Sequence, residues 1–379
     1  MRHNLRPALE RLASVRLTLF CLGLMMILVF IGTLAQVHMG TFAAQKAYFN
    51  SFWIYSENFS GWRVPVFPGG LLVGGLWLAN LVAAFAFHFK WERKSLGLLV
   101  SHFGLILLLL GQFLAQMLSK ESSMPIEIGQ SSNYSESAKD LELALIDTSN
   151  PDYDEVTSIP WDLLSREGPL APPRLPFTLY IRQLFLNAQL GMAASGTPSL
   201  ATRGVGTRIA VNPAPPVTSD DEGNMATALV EVKDKSKSLG IWLVSVGLGA
   251  PQSFNVEGRD YRIFLRPKRT YYPFTLTLKE FHHDIYPGTD IPKNFSSLVH
   301  LTNPDRHDSR NALIFMNHPL RYDGKTFYQA SFGNNDRLSV LQVVENPAAV
   351  TPYVACGLVI LGLAIQFLSH LLVFARKRA

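Results

Sequence analysis

Four blocks of nearly continuous apolar residues interrupt the chain, and between the third and the fourth the pattern changes to short alternating runs. A helix needs ~20 apolar residues to cross a bilayer core. Residues 17–37 qualify, with no charge and only Thr18, Thr33 and Gln36 as polar breaks. Residues 71–87 start after the turn signal Pro68-Gly69-Gly70 and contain one amide, Asn80; residues 96–118 and 353–375 complete the set. The pattern predicts four transmembrane helices. The first is preceded by Arg2, Arg6, Arg11 and Arg16, but its apolar run is too long for a cleavable signal peptide and no small-residue cleavage site follows.

Between the third and fourth blocks lie Leu141-Glu142-Leu143-Ala144-Leu145, Phe177-Thr178-Leu179-Tyr180-Ile181 and Tyr261-Arg262-Ile263-Phe264-Leu265. Thr275-Leu276-Thr277-Leu278 and Ser339-Val340-Leu341-Gln342-Val343 continue the series. Period-two alternation bounded by Gly, Pro, Asn and Asp marks half-buried antiparallel strands. The expected fold is therefore membrane α-helical, four helices, plus a large extracytoplasmic mainly-β domain, an antiparallel sandwich or open barrel. The organisation follows: a membrane part at 1–118, the β domain at 119–352, and a fourth helix with a basic tail at 353–379. The segment 188–224, rich in Gly, Ala, Ser and Pro, reads as a long loop or insertion.

Charge changes this picture by giving it a direction. The formal net charge of +5 is concentrated at the two ends and around Lys90, Arg93 and Lys94. Lys and Arg are retained on the cytoplasmic side, so both termini and this loop are expected inside and the β domain outside, in a bacterial cytoplasmic (inner) membrane. The segment 39–65 holds only Lys46 and Arg63, with Trp53, Tyr55 and Trp62 suited to an interface belt. Topogenic charge accounts for the basic balance without nucleic-acid binding. The two cysteines, Cys21 and Cys356, both lie in apolar blocks, and neither a disulfide framework nor a thiol-redox motif is present.

Several motifs resemble a known family. Leu12-Ala13-Ser14-Val15-Arg16-Leu17 and Ile31-Gly32-Thr33-Leu34-Ala35-Gln36 resemble the opening of the ResB (CcsB) family of System II cytochrome c biogenesis proteins, and Ser101-His102-Phe103-Gly104 with Gly111 resembles its third span. The most specific blocks run from Tyr286 to Ser297 and from Met316 to Phe332. The resemblance implies a subunit of a cytochrome c synthase that moves haem across the membrane and attaches it to apocytochrome c. It implies haem b as cofactor and a CcsA (ResC)-like partner, since that family carries a tryptophan-rich haem-binding segment whereas the six Trp here are scattered. Apocytochrome c and a thiol-reducing thioredoxin-like protein are the further partners it implies. On this reading the chain is no enzyme alone.

Neutral imidazole is an axial ligand of haem iron, and a histidine within a membrane helix is functional by default. His88, His102 and His370 are the candidates. His102 lies deepest, roughly 10 Å inside the helix start at ~1.5 Å rise per residue. Gly97, Ser101, Gly104 and Gly111 form a small-residue stripe suited to close helix packing. His102 lies roughly 140° around the helix from Gly97, at about 100° per residue, so its ring points away from that seam. The residues alone leave a ligand and a bundle hydrogen bond equally open; the resemblance implies the ligand, with its mate from the partner subunit. His370 is the runner-up and His88 reads as interfacial. His282 and His283, adjacent on a strand, point to opposite faces; they, His300 and His318 read as structural or surface groups. Asp284 and Asp290 near Lys293 lack an accompanying nucleophile, and no triad, phosphate loop or metal-spaced cluster is present.

Two rival functions remain at this level: a haem-free assembly scaffold, and a b-type electron carrier using two histidines of this chain. The topology is testable directly. Reporter fusions after Lys120 and near Asp220 should report an outer location and fusions near Arg93 an inner one. An inner signal at Asp220 would overturn the four-span arrangement.

Overall fold

A computed structural model describes residues 10–59, 62–88, 95–166, 168–193, 199–217, 223–235, 237–289 and 292–378. Arg2, Arg6, the basic loop at 89–94, Asp220 and Asp290 lie outside them, as do the side chains of Trp62, Arg63 and His88. Two compact units emerge: a helical one from Met1–Ser119 and Asn346–Ala379, and a β unit from Lys120–Val217 and Gly223–Glu345.

The helical unit contains α1 (Val15–Met39), α2 (Gly70–His88), α3 (Leu96–Leu118) and α4 (Thr351–Arg378), each long and apolar enough to cross a membrane. Most of their surface is exposed within the unit and apolar, as lipid-facing helices require. The chain is a multi-pass membrane protein. Each helix begins and ends within four residues of the bounds expected from hydropathy.

Local chemistry explains two of the membrane motifs. Ser14 is the N-cap of α1, its hydroxyl accepting the Leu17 N–H at 3.3 Å. The buried amide of Asn80 on α2 then ties down that same cap. Its Nδ2 donates to the Leu12 and Ser14 carbonyls at 2.6 and 3.1 Å, and its Oδ1 accepts from the Thr18 hydroxyl at 2.7 Å. The one polar group inside the second span is thus fully satisfied. Gly32 leaves room on α1 for the Phe49 ring, which lies 2.8 Å from where a Cβ would stand. Phe49 ends a short helical stretch, Thr41–Ala44 running into a π-helical turn at Gln45–Phe49. A hairpin of β1 (Trp53–Phe59) and β2 (Trp62–Pro68) follows; sequence alternation did not disclose it.

The seam between α3 and α4 is the tightest in the unit. A Cβ on Gly97 would stand 2.6 Å from the Gly362 carbonyl oxygen, and one on Gly104 would stand 2.8 Å from the Val359 side chain. Gly111 faces Thr351, so the two helices run antiparallel. Ser101, buried in the seam, donates its hydroxyl to the Gly97 carbonyl at 2.8 Å and leaves no orphan group.

The β unit is built from β3 (Lys120–Glu127), β4 (Ser131–Asp147), β5 (Glu155–Pro160), β6 (Pro169–Leu170), β7 (Thr178–Phe185), β8 (Ala188–Met192), β9 (Ile209–Pro213), β10 (Thr227–Asp234) and β11 (Lys237–Ser245). It continues through β12 (Gln252–Val256), β13 (Arg259–Ile285), β14 (Pro292–Asn303), β15 (Asp308–Phe315), β16 (Leu320–Tyr322), β17 (Lys325–Gly333) and β18 (Leu338–Glu345). The main antiparallel sheet runs β15-β14-β13-β4-β3-β18-β17-β16, and a Phe315–His318 bridge brings its two edges together into a nearly closed barrel. A second sheet, β11-β10-β7-β6, packs on the other half of β4 and β13.

β13 is long enough to serve both cores. Tyr261, Ile263 and Leu265 join Leu143 and Leu145 of β4 against Leu179, Val230 and Trp242 of the second sheet. Farther along, Phe274, Leu276 and Leu278 fill the barrel with Met124, Val299, Phe327 and Leu341. The changeover falls at Arg266 and Glu142, directly opposite each other in register, where a fully buried ion pair closes at 2.9 Å. Ser158 of β5 donates a further hydrogen bond to the Glu142 carboxylate. The segment 188–224 is more than the loop that its composition suggests. β8 and β9 pair as a hairpin, and Leu190, Ile209 and Val211 pack on Ala201, Leu229 and Leu243. Its alternation is diluted by Gly and Ala, which hid it from a pattern search.

Two stability measurements test these packings. Gly362→Leu should drive α3 and α4 apart, costing about 1–3 kcal/mol or more in detergent, as overpacking does. Gly357→Leu, with nothing within 4 Å of its Cβ position, should be nearly neutral. Equal melting temperatures for the two variants would contradict the seam. Arg266→Met should cost about 3–5 kcal/mol in urea unfolding of the β unit by stranding Glu142, and adding Glu142→Leu should recover most of it.

Candidate functional site

α3 is held to α4 along Gly97, Ser101, Gly104 and Gly111, all buried. This fixes the helix's rotation, and with it the direction of every other side chain it carries. His102 is half-buried, off the seam, among the apolar side chains of α3. Its Nδ1 lies 2.8 Å from the Leu98 carbonyl oxygen one turn back. A carbonyl can only accept, so Nδ1 carries the proton, and in the neutral ring Nε2 carries the lone pair. That is the tautomer that an Nε2 iron ligand requires, oriented by a backbone carbonyl as metal-binding histidines usually are.

His370, on α4, is differently placed. It is exposed, and its Nε2 lies 2.8 Å from the Gln366 amide nitrogen one turn earlier. With that amide donating, the Nε2 lone pair is already used; with the amide reversed, Nε2 would carry the proton. In both arrangements Nε2 is engaged. His88 closes α2, and its side chain lies outside the described residues.

Two open, apolar grooves lie in the helical unit. One of about 520 Å³ is lined by Ile31, Leu34, Val37, His38 and Tyr48, and one of about 430 Å³ by Leu78, Val82 and neighbouring residues of α2 with Leu12. Neither groove's lining includes His102 or His370.

In the β unit the remaining histidines separate by what surrounds their nitrogens. His300 has both engaged, Nδ1 with the Asn311 side chain at 2.8 Å and Nε2 with Ser309 at 3.2 Å. His318 stacks on Phe315, ring centroids 4.6 Å apart, next to the left-handed Asn317. His282 is exposed beside Glu280 at 3.2 Å. His283 faces the other way, as neighbours on a strand must. Its Nδ1 lies 3.2 Å from the Asp336 carboxylate, its ring lies against Phe332 at 4.2 Å, and its Nε2 is buried with no partner. Nothing in the residue pattern signals this pairing, because Asp336 arrives from the turn between β17 and β18. No cluster of three or more His, Cys, Asp or Glu with metal-binding geometry occurs among the described residues.

With this geometry in place, the comparisons with known proteins are specific. The ResB-like family model matches residues 240–340, from β11 to β18. The chain is similar to Protein NrfI of Wolinella succinogenes, 32% identical over 103 residues, which is 27% of this chain and 11% of that protein. It is also similar to the cytochrome c biogenesis protein CcsB of Picosynechococcus, 34% identical over 83 residues, 21% of this chain and 18% of that one. The alignments thus span under a fifth of either relative, and His102 lies outside the family match. Both outer-domain blocks that carried the resemblance, from Tyr286 to Ser297 and from Met316 to Phe332, fall inside it. Over residues 240–340 the chain is thus similar to the ResB-like family.

Proposed function

We propose that the chain is the ResB-like subunit of a cytochrome c synthase, taking part with a CcsA (ResC)-like partner in moving haem across the membrane and attaching it to apocytochrome c. The name of the CcsB relative supports cytochrome c biogenesis. The observation that carries the haem assignment is His102, whose Nδ1 proton is committed to the Leu98 carbonyl so that Nε2 is the basic nitrogen. The residues fit the group: an oriented neutral imidazole on an apolar helix face suits an axial bond to iron in low dielectric. Haem b would supply the iron and the vinyl groups that join to cysteine thiols. The chain's own part is to hold the ring at a fixed rotation through the α3–α4 seam and to keep water from it with the surrounding leucines. The basic flanks of the spans put the termini in the cytoplasm and the β unit outside, where the apocytochrome and a thioredoxin-like reductant would be met.

The test uses the chain co-purified with a CcsA-like protein. His102→Ala should still insert, because Ala is a good helix former and leaves the seam untouched. Haem in the complex should fall several-fold, with holocytochrome yield following it, and added imidazole should restore part of both by filling the vacated axial position. His88→Ala should be mild, and the chain without its partner should attach no haem. Full haem content with an unchanged spectrum in His102→Ala, or haem loss confined to His370→Ala, would overturn the assignment. Colourless complexes throughout would favour the haem-free scaffold. Reversible redox cycling of haem in the isolated chain would favour the electron carrier.

A further inference from the structure

The β13–β14 pairing steps from the barrel's apolar interior to its rim. Inward-facing positions alternate along it: Leu278 opposite Val299, then Phe281 opposite Ser297, then His283 opposite Phe295. A bulge at Leu278/Glu280 resets the alternation so that His283, not His282, faces inward. Below His283, Ser297, Gln329 and Ser339 satisfy one another. The Ser297 hydroxyl reaches Gln329 Oε1 at 2.6 Å and Ser339 at 2.7 Å, while Gln329 Nε2 donates to Ser339 at 3.0 Å. His283 Nε2 is the exception, a buried nitrogen with no hydrogen-bond partner. Such groups are rare enough in native structures to require a cause.

The surroundings define what Nε2 is suited to. The Asp336 carboxylate lies 3.2 Å from Nδ1; in the neutral ring a carboxylate there favours the proton on Nδ1, and Nε2 then carries the lone pair that a metal would use. Asp336 is delivered by three successive left-handed residues, Asn334, Asn335 and Asp336, with φ of 52°, 52° and 63°. The Phe332 ring lies 4.2 Å from the imidazole and is itself backed by Phe281 and Phe295 at 5.6 and 5.3 Å. A free metal ion would need several further protein donors, and no such cluster occurs among the described residues. Haem iron brings four nitrogen donors of its own and asks the protein for an axial imidazole and an apolar, aromatic contact surface.

We propose that His283, held by Asp336 at the rim of the barrel, is a haem-iron ligand separate from His102, so that the β unit itself takes hold of haem. This rests on the reading of the chain as haem-handling. Nε2 is buried in this structure, so iron reaches it only with a local rearrangement, and Phe332, packed against the imidazole, is the side chain that must give way.

The experiment titrates ferric haem into the full chain in detergent, carrying His102→Ala so that the membrane helix contributes no ligand. Saturable binding of one equivalent with a Soret shift is expected, absent when His283→Ala is added. Asp336→Asn should weaken it about 10- to 100-fold, the usual effect of removing the group behind a metal-binding histidine. His283→Met, which fills the same space and offers sulfur, should bind with a different spectrum, and circular dichroism of each variant separates lost binding from lost folding. Identical titrations with and without His283 would overturn the proposal, as would equally tight binding of iron-free protoporphyrin, which would show ring stacking alone. Either result leaves the His102 reading untouched, since that stands or falls on haem in the complex with its partner.

Discussion

Close backbone approach between α3 and α4 is the constraint on which the helical unit depends. Lipid offers no hydrophobic drive for helices to associate, so the attraction comes from van der Waals contact, which needs small residues at the seam. Gly97, Gly104 and Gly362 supply it, and a Cβ at any of them would run into backbone or side-chain atoms of the facing helix. The consequence reaches beyond stability. A seam this narrow admits one rotation of α3, and that rotation sets the direction of His102. The candidate residue is oriented by glycines on another face of its helix.

The β unit is organised by a comparable economy. β3 and β18 pair in register from Lys120 opposite Glu345 to Glu127 opposite Leu338, so the chain enters and leaves the unit on neighbouring strands. α3 ends two residues before the first of these, and α4 begins six residues after the last. Two antiparallel helices and two antiparallel strands therefore share their connections. Inside the unit, β4 and β13 run through both cores. The Glu142–Arg266 pair sits at the changeover, where neither core alone would cover the strands. A buried ion pair is weak as a source of stability, yet breaking it is costly, which makes it suited to fixing register at such a junction.

Much of this was legible because it obeys short-range periodicity. The four helices followed from uninterrupted apolar runs, and the strands at 141–145, 261–265 and 339–343 from strict alternation. What escaped depended on long-range pairing. Nothing in Thr275-Leu276-Thr277-Leu278 and Tyr261-Arg262-Ile263 indicates that they belong to one continuous strand of 27 residues. The β1–β2 hairpin was hidden because its aromatic residues read as an interface belt, and β8–β9 because Gly and Ala blur the alternation. For the candidate site, the sequence disclosed the His102 stripe geometry through helical arithmetic. The hydrogen bond to Leu98 that selects its tautomer was not visible, because a histidine one turn from any carbonyl has several rotamers to choose from.

The histidines show why residue identity alone sorts function poorly. Each imidazole has two nitrogens, and what occupies them decides what the ring can do. His300 spends both on side chains of its own sheet, and His370 engages its Nε2 with Gln366. At His102 and His283 it is Nδ1 that lies against an oxygen, in one case a carbonyl and in the other a carboxylate. The oxygens differ in charge, and so should the two rings as donors. A carboxylate draws the Nδ1 proton more strongly than a carbonyl and makes Nε2 the better electron donor. A bulge of one residue is all that gives this role to His283 over His282. Shift the register by that residue and His282 would turn inward together with Glu280, while Phe281 and His283 would turn outward.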